Sequence, residues 1–452
     1  MAGDEWVSIR LGAVCTKIGS GATPRGGSEV YLDNGPYALI RSQNVYNNGF
    51  HHDGLAFIGE KHAAKLENVE VLKDDVLLNI TGDSVARACQ VDPGIVPARV
   101  NQHVAIIRPD PKKLDPRFLR YFLVSPEMQA KLLSWAGSGG TRNALTKGMI
   151  ESFHVLAPTD VSEQRAIARI LGTLDDKIEL NRRMNETLEA MAGAIFKSWF
   201  VDFDPVRAKA EGRDPGLPQP LADLFPARLV DSELGEIPEG WAVDTLAEHF
   251  DAVKGVSYKG SGLGNSGVPL HNLNSVYEGG GYKYEGIKCY TGDYSERHVV
   301  RPGDVIVANT EQGHDRLLIG YAAIVPEFFG DHGIASHHIY RLKPKPNSPL
   351  TAAFLCHLLN SPQMHDVVSG YANGTTVNML PIDGVQKPQI VSPPGPLVAA
   401  FDSLASKAEQ RREESVSESR TLAALRDTLL PKLISGELRI DAVERFIKES
   451  TI

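Results

Sequence analysis

The sequence predicts an α/β (α+β) multi-domain protein in which two globular domains, related by internal duplication, are separated by two long helices forming an antiparallel coiled coil. Length is the first observation. At 452 residues the chain exceeds one ordinary domain of roughly 100–200 residues and requires two to four cores. The second is a set of anchors that recur in order about 235 positions apart. The third is a pair of segments with positions spaced 4,3,4,3, the average of about 3.5 that keeps one helical seam facing a partner helix.

Composition narrows the class. With 42% apolar and 23% charged positions the chain is globular, and 42 glycines and 28 prolines without a period exclude collagen and wholesale disorder. Cys15, Cys89, Cys289 and Cys356 lie too far apart for a zinc motif or a disulfide framework, which suits a reducing compartment. The longest apolar stretch, Leu317 to Val325, falls short of the roughly 18 residues of a membrane helix. The opening MAGDEWVSIR holds no apolar core of signal-peptide length. The expectation is a soluble, cytoplasmic protein with no membrane partner.

A first mixed domain is expected over residues 1–158. Short β-branched runs bounded by Gly, Asn and Asp, such as 71–80, read as strands, and 116–135 reads as helix. A helix follows over 159–200. Asp160 stands three residues before Glu163, like a capping box, and Ile167, Leu171, Leu174, Ile178, Asn181, Asn185, Leu188, Ala192, Ile195 and Trp199 keep the seam spacing. Residues 201–240 form a Pro-rich connector with nine acidic and four basic side chains, semi-rigid through its prolines. The second domain, 241–393, repeats the first. Trp6 matches Trp241, His103 matches His338, Asn143 matches Asn378 and Pro158 matches Pro393 at an offset of 235, while Asp75 matches Asp304 at 229.

The distal helix is expected over 394–432, before a tail at 433–452. Its seam reads Leu397, Phe401, Leu404, Ala408, Arg411, Ser415, Glu418, Leu422, Leu425 and Leu429. Paired antiparallel, the two seams set Asn181 against Ser415 and Asn185 against Arg411. Polar layers then meet polar layers and fix the register at some cost in stability.

The formal charge of −9 speaks against a lone high-affinity DNA binder. More than half of that excess sits in the connector, so the globular parts are near neutral. A protein that binds DNA together with basic partners escapes the objection.

The motifs for catalysis are incomplete. Gly262-Leu-Gly-Asn-Ser-Gly267 fits G-x-G-x-x-G but opens no helix, and no Gly-Lys pair supplies a Walker A loop. Ser392-Pro-Pro-Gly395 lacks the aromatic that stacks on a flipped base in amino-methyltransferases. Pro109-Asp110 with Asp175-Asp176-Lys177 is formally a nuclease-like set, but its second half falls on the seam helix, where charges ordinarily form a solvated face. His332, His337 and His338 lack a neighbouring Cys or carboxylate to complete a metal set. No catalytic residue and no metal ligand is assigned.

Polar side chains suited to base edges recur at equivalent places in both copies. In the first copy the candidates are Thr23, Arg25, Arg41, Gln43, Asn44, Arg99, Asn101, Gln102, His103, Arg142 and Asn143. In the second they are Tyr258, Lys259, His271, Asn272, Asn274, Gln312, His314, Arg316, His337, His338, Thr376 and Asn378.

Four segments carry a family resemblance: 163–181 (EQRAIARILGTLDDKIELN), 199–205 (WFVDFDP), 235–241 (GEIPEGW) and 425–438 (LRDTLLPKLISGEL). With the Gly19-x-Gly21-x-Thr23-Pro24 loop, they resemble the specificity (S) subunit of type I restriction–modification enzymes over the whole chain. The second copy departs at Gly255-Val-Ser-Tyr-Lys-Gly260, which lacks Thr-Pro. The resemblance implies a non-catalytic subunit whose two target-recognition domains, 1–158 and 241–393, each read half of a bipartite double-stranded DNA site. It implies that the helices set the spacer and dock two methyltransferase subunits, with restriction subunits in the full complex. S-adenosylmethionine, ATP and Mg²⁺ are expected on those partners and no cofactor on this chain. The rival reading is a coiled-coil scaffold with two peptide- or protein-binding domains; a self-contained methyltransferase or nuclease is a third.

Overall fold

Glycine, proline and Asx residues interrupt the apolar runs of this chain every few residues, so its strands are short and its sheets small. The computed structural model describes residues 6–137, 143–312, 315–374 and 377–440. They fold as two compact units, Met1–Leu180 with Glu418–Ile452, and Asn181–Ser417.

In the first unit Trp6–Arg10 pairs antiparallel with His154–Pro158. A four-stranded sheet follows the order Cys15–Ser20, Val104–Pro109, Val76–Asn79, Ala88–Gln90. A second runs Ala56–Ile58, Tyr37–Ile40, Ala98–Val100, Glu70–Val71. The two middle strands of the second sheet are parallel. Helices Pro116–Val124 and Pro126–Gly137 contribute Phe118, Tyr121 and Leu132 to the main core, where they meet Phe153, Ile167, Leu171 and Leu433.

The second unit repeats this plan. Ala242–Thr245 pairs with Gln389–Ser392. One sheet runs Phe250–Lys254, Ile339–Pro344, Val305–Ala308, Ala322–Ile324, the order of its counterpart. The other runs Leu263–Gly264, Lys288–Tyr290, Val268–His271, Gly333–Ala335, Val299–Val300, one strand longer. Apart from that added strand, the duplication is in the fold. Its tightest signature is a pair of glycines. A Cβ on Gly21 would lie 1.7 Å from the Val100 carbonyl oxygen, and one on Gly255 would lie 2.2 Å from that of Ala335. Gly255 is thus kept where the second copy loses Thr-Pro, because backbone crosses backbone there.

The long helices are Val161–Phe200 and Gly395–Ile434, 40 residues each. Asp160 opens the first: its side chain accepts the Ser162 amide at 2.8 Å. Gln164, fully buried, accepts the Asp115 amide at 2.8 Å and donates to the Pro158 carbonyl at 2.8 Å. Within the first unit Lys177 meets Glu418 at 3.3 Å and Asp175 meets Arg426 at 2.8 Å. Within the second, Asn181 donates to the Ser415 carbonyl at 3.4 Å and Arg412 meets Glu189 at 3.2 Å. Residue sums near 600 in each unit make the pairing antiparallel.

The expected seam of the first helix is buried or half-buried throughout, but alternate positions of the second are off by one. Leu404 and Leu425 are 43% and 46% exposed, and Arg411 points to solvent and pairs with Glu414 at 3.0 Å. The inward residues there are Ala405, Arg412 and Arg426. The expected Asn185–Arg411 layer is therefore not formed; Arg412 takes the inner position. Asp175 also departs from expectation. It is no solvated surface charge but the centre of a cluster, accepting from Arg120 at 2.8 Å, Tyr121 at 2.6 Å and Arg426 at 2.8 Å. Burial works to raise its carboxyl, and the two guanidiniums and the phenol outweigh it, leaving it below the usual range.

The connector, expected to be semi-rigid, is folded into the second unit. It folds into helices Asp204–Ala210 and Gln219–Ala222 and a hairpin of Leu229–Ser232 with Gly235–Pro238. Phe203, Val206 and Phe225 join Trp199, Phe200 and Trp241 in the core of the second unit. No helix among the described residues is long and apolar enough to cross a membrane.

Candidate nucleic-acid interface

In the first unit a cleft of about 990 Å³ opens where the hairpin between Val76–Asn79 and Ala88–Gln90 approaches the turn at Ser42. Of the residues expected from sequence, Gln43, His103 and Asn143 line it. Tyr46, Thr81 and Arg87, not among the residues expected from sequence, line it too. A relay holds His103. Thr23 donates to the Gln102 Oε1, the Gln102 amide donates to His103 Nε2 at 2.8 Å, and His103 Nδ1 lies 2.5 Å from Thr81 Oγ1. With Nε2 accepting, Nδ1 carries the proton toward Thr81, so the Thr81 hydroxyl hydrogen is left to donate into the cleft.

Arg41 lies over the Tyr31 ring at 5.2 Å and donates to the Gly54 carbonyl, which Gln43 also reaches at 3.1 Å. Arg25 is exposed. Three other expected residues are structural. Asn44 is fully buried; its Oδ1 accepts the Arg41 amide and its Nδ2 donates to the His51 and Asp53 carbonyls, so no group remains for a base. Arg99, 5% exposed, spends its guanidinium on the Ala63 and Ala98 carbonyls and Glu70. Asn101, 6% exposed, accepts the His103 amide and closes the turn behind it.

The second unit places matching groups by matching means. Thr310 Oγ1 lies 2.9 Å from His338 Nδ1, as Thr81 does from His103. The His337 ring lies tilted 3.8 Å from His338 and 5.7 Å from Tyr258, giving an aromatic edge with Lys259 exposed beside it. Burial, then His337 and Lys254, hold the His338 imidazole below its ordinary pKa and so neutral. Asn274 and Arg316 are exposed, whereas Asn272 folds back to accept the Asn274 amide at 2.8 Å. Glu311, 8% exposed, accepts the amides of Leu317, Leu318 and Ile319 and so pins the loop that carries Arg316.

His271 and Asn378 are corrections. His271 is fully buried, 2.7 Å from the Tyr282 hydroxyl, and burial pushes its pKa down to about 4. Asn378, 7% exposed, is the middle of a strand paired opposite Glu311. Arg142, His314 and Thr376, and the side chain of Gln312, lie outside the described residues. Among the described residues no three His, Cys, Asp or Glu side chains gather as a metal site.

One sheet framework used twice, each time holding a Thr–His pair at a polar loop edge, defines a duplicated recognition protein with paired helices. Residues 3–190 match the type I restriction modification DNA specificity domain. The chain is 25% identical over 439 residues to the HindI specificity subunit of Haemophilus influenzae, covering 88% of this chain and 94% of that one. It is 25% identical over 327 residues to the MjaIX specificity subunit of Methanocaldococcus jannaschii, covering 71% and 69%. The crystal structure of an S subunit from M. genitalium shares the fold, with a TM-score of 0.56 at 15% identity over 95% of this chain and 96% of that one. Over residues 3–190 the chain carries the type I restriction modification DNA specificity domain, and over most of its length it is similar to specificity subunits of type I restriction enzymes.

Proposed function

We propose that the two target-recognition domains each read one half of a bipartite double-stranded DNA site and that the paired helices set the spacer between the halves. The observation that carries this is the repeated framework: the same Thr–His pair sits in both units, surrounded by different side chains. Two readers of one design but different chemistry suit a site with two unlike halves. The helices dock two methyltransferase subunits, and restriction subunits complete the assembly in the cytoplasm. S-adenosylmethionine, ATP and Mg²⁺ act on those partners, which also supply the phosphate contacts that a chain of net charge −9 does not favour. Of the residues proposed to face DNA, Thr23, Arg25, Arg41, Gln43, Gln102, His103 and Asn143 serve the first half. Tyr258, Lys259, Asn274, Arg316, His337 and His338 serve the second.

The purified chain is expected to show no methyltransferase, ATPase or nuclease turnover. Gel shifts with methyltransferase subunits added should show a sequence-specific complex far tighter than the chain alone forms. Turnover of labelled cofactor without partners, or a complex indifferent to DNA sequence, would defeat the proposal.

A further inference from the structure

The two copies differ in length at one hairpin beside the Thr–His pair. Eight residues, 80–87, join Val76–Asn79 to Ala88–Gln90, and thirteen, 309–321, join Val305–Ala308 to Ala322–Ile324. The repeat offset changes there from 229 to 234. Both hairpins end in the same backbone device. Ala86 and Gly320 have φ of 74° and 91°. The Ala86 amide donates to the Asn79 carbonyl at 2.9 Å, and the Gly320 amide to that of Ala308 at 2.8 Å. In return the Asn79 amide donates to the Arg87 carbonyl at 2.8 Å, and the Ala308 amide to that of Tyr321 at 2.9 Å. A left-handed alanine costs energy that the first copy keeps in place. The device fixes the next residue, which is Arg87 in one copy and Tyr321 in the other.

We infer that this next residue is the specificity-determining contact of each domain, and that Arg87 reads a guanine in the major groove. This rests on the reading of each domain as a DNA half-site reader. Arg87 lines the cleft with its guanidinium carbon over the Tyr46 ring, 4.6 Å from the centroid, and Tyr46 in turn stacks 4.1 Å from His51. Stacking occupies the face of the guanidinium and leaves its edge N–H donors free. Among the described residues nothing accepts from that edge. A rigid, stacked fork presented at a cleft mouth matches guanine O6 and N7, the pair an arginine reads bidentately. Thr81 and Ser84 beside it add hydroxyls for neighbouring acceptors. At the equivalent place Tyr321 stacks 3.8 Å from His365, so the second copy presents a phenol instead of a fork.

The test uses the complex assembled with its methyltransferase subunits, scoring methylation across a library of target variants. Arg87→Ala is expected to lose discrimination at one guanine of one half-site by roughly 5- to 150-fold, with the other half-site unchanged. Arg87→Lys keeps the charge and loses the fork, so it is expected to relax the same position; it also carries the test if the alanine variant does not fold. If lysine restores wild-type behaviour while alanine weakens every sequence equally, Arg87 only neutralises a phosphate and the inference fails. It fails equally if neither variant changes any position. A wild-type complex that discriminates no sequence would instead remove the reading beneath it.

Discussion

His271 shows what the sequence says about a single residue and what it leaves out. Its type and position suited a base contact, yet it lies in the core against Tyr282, with its pKa at about 4. His357, also in the second unit, is likewise pushed down to about 4 by burial. A folded histidine held neutral binds fewer protons than its unfolded form, whose pKa is about 6.5. The neutral form's advantage is therefore complete above pH 6.5 and is lost as pH falls from there toward 4. The second unit should weaken over that window by up to about 1.4 kcal/mol per pH unit for each histidine. Denaturant unfolding followed by Trp199 and Trp241 fluorescence at pH 7, 6 and 5 measures it, and His271→Gln should flatten the slope by up to about 1.4 kcal/mol per pH unit. An unchanged slope in that variant would show that His271 is not the group. Asn44, Arg99 and Asn101 were misread for the same reason. Side-chain type is legible in the sequence, but direction follows from turns and sheet pairings that the sequence leaves open. Arg87 was missed in the converse way, since nothing in an Ala-Arg pair announces a left-handed alanine. Setting the copies in register at an offset of 234 would have placed Gly320 opposite Ala86 and marked the turn.

At the scale of the element, the first long helix was legible because its seam is apolar at both ends and large side chains leave one choice of face. The second was not, because residues 409–420 (EQRREESVSESR) offer almost no apolar side chain to set the phase. Arg411 and Arg412 fit a polar layer equally well on paper. The choice is made by Glu189 and Glu409, which meet Arg412 at 3.2 and 2.6 Å. Burial penalises the Arg412 guanidinium, but the two carboxylates and Tyr284 outweigh that and favour the charged form. Arg412→Ala removes this cation from between two carboxylates, which are themselves 48% and 27% exposed. Their residual hydration moderates the loss, so the expected cost is about 1–3 kcal/mol rather than that of a fully buried pair. Arg411→Ala should change stability by less than about 0.5 kcal/mol, as exposed ion pairs do. Urea midpoints of the two variants decide the matter; equal costs would mean that the seam runs through Arg411 after all.

For the whole molecule, duplication was the strongest sequence signal, and it survives in strand order, in the crossing glycines and in the Thr–His pairs. Strand order itself was not legible, because several pairings join segments far apart in the chain, such as Tyr37–Ile40 beside Ala98–Val100. On the proposed function, a duplicated reader on paired helices acts as a ruler, and rulers can be shortened. Removing Asp176–Arg182 from the first helix and Glu414–Arg420 from the second deletes one heptad from each and keeps both seams in phase. It spares Asp175, Glu189, Arg412 and Arg426, which anchor the pairing within each unit. Each helix becomes shorter by roughly 10 Å, or about three base pairs at 3.4 Å per step. Three base pairs also turn one half-site about the DNA axis by roughly 100° relative to the other, given about 10.5 base pairs per turn. The shortened subunit, assayed with the methyltransferase subunits proposed to dock on it, should therefore modify a site with a shorter spacer or modify nothing, while the base preferences inside each half stay as they were. Sequencing of methylated positions across a spacer library reads both quantities. Wild-type efficiency on the original spacing would show that helix length does not set the distance between the halves.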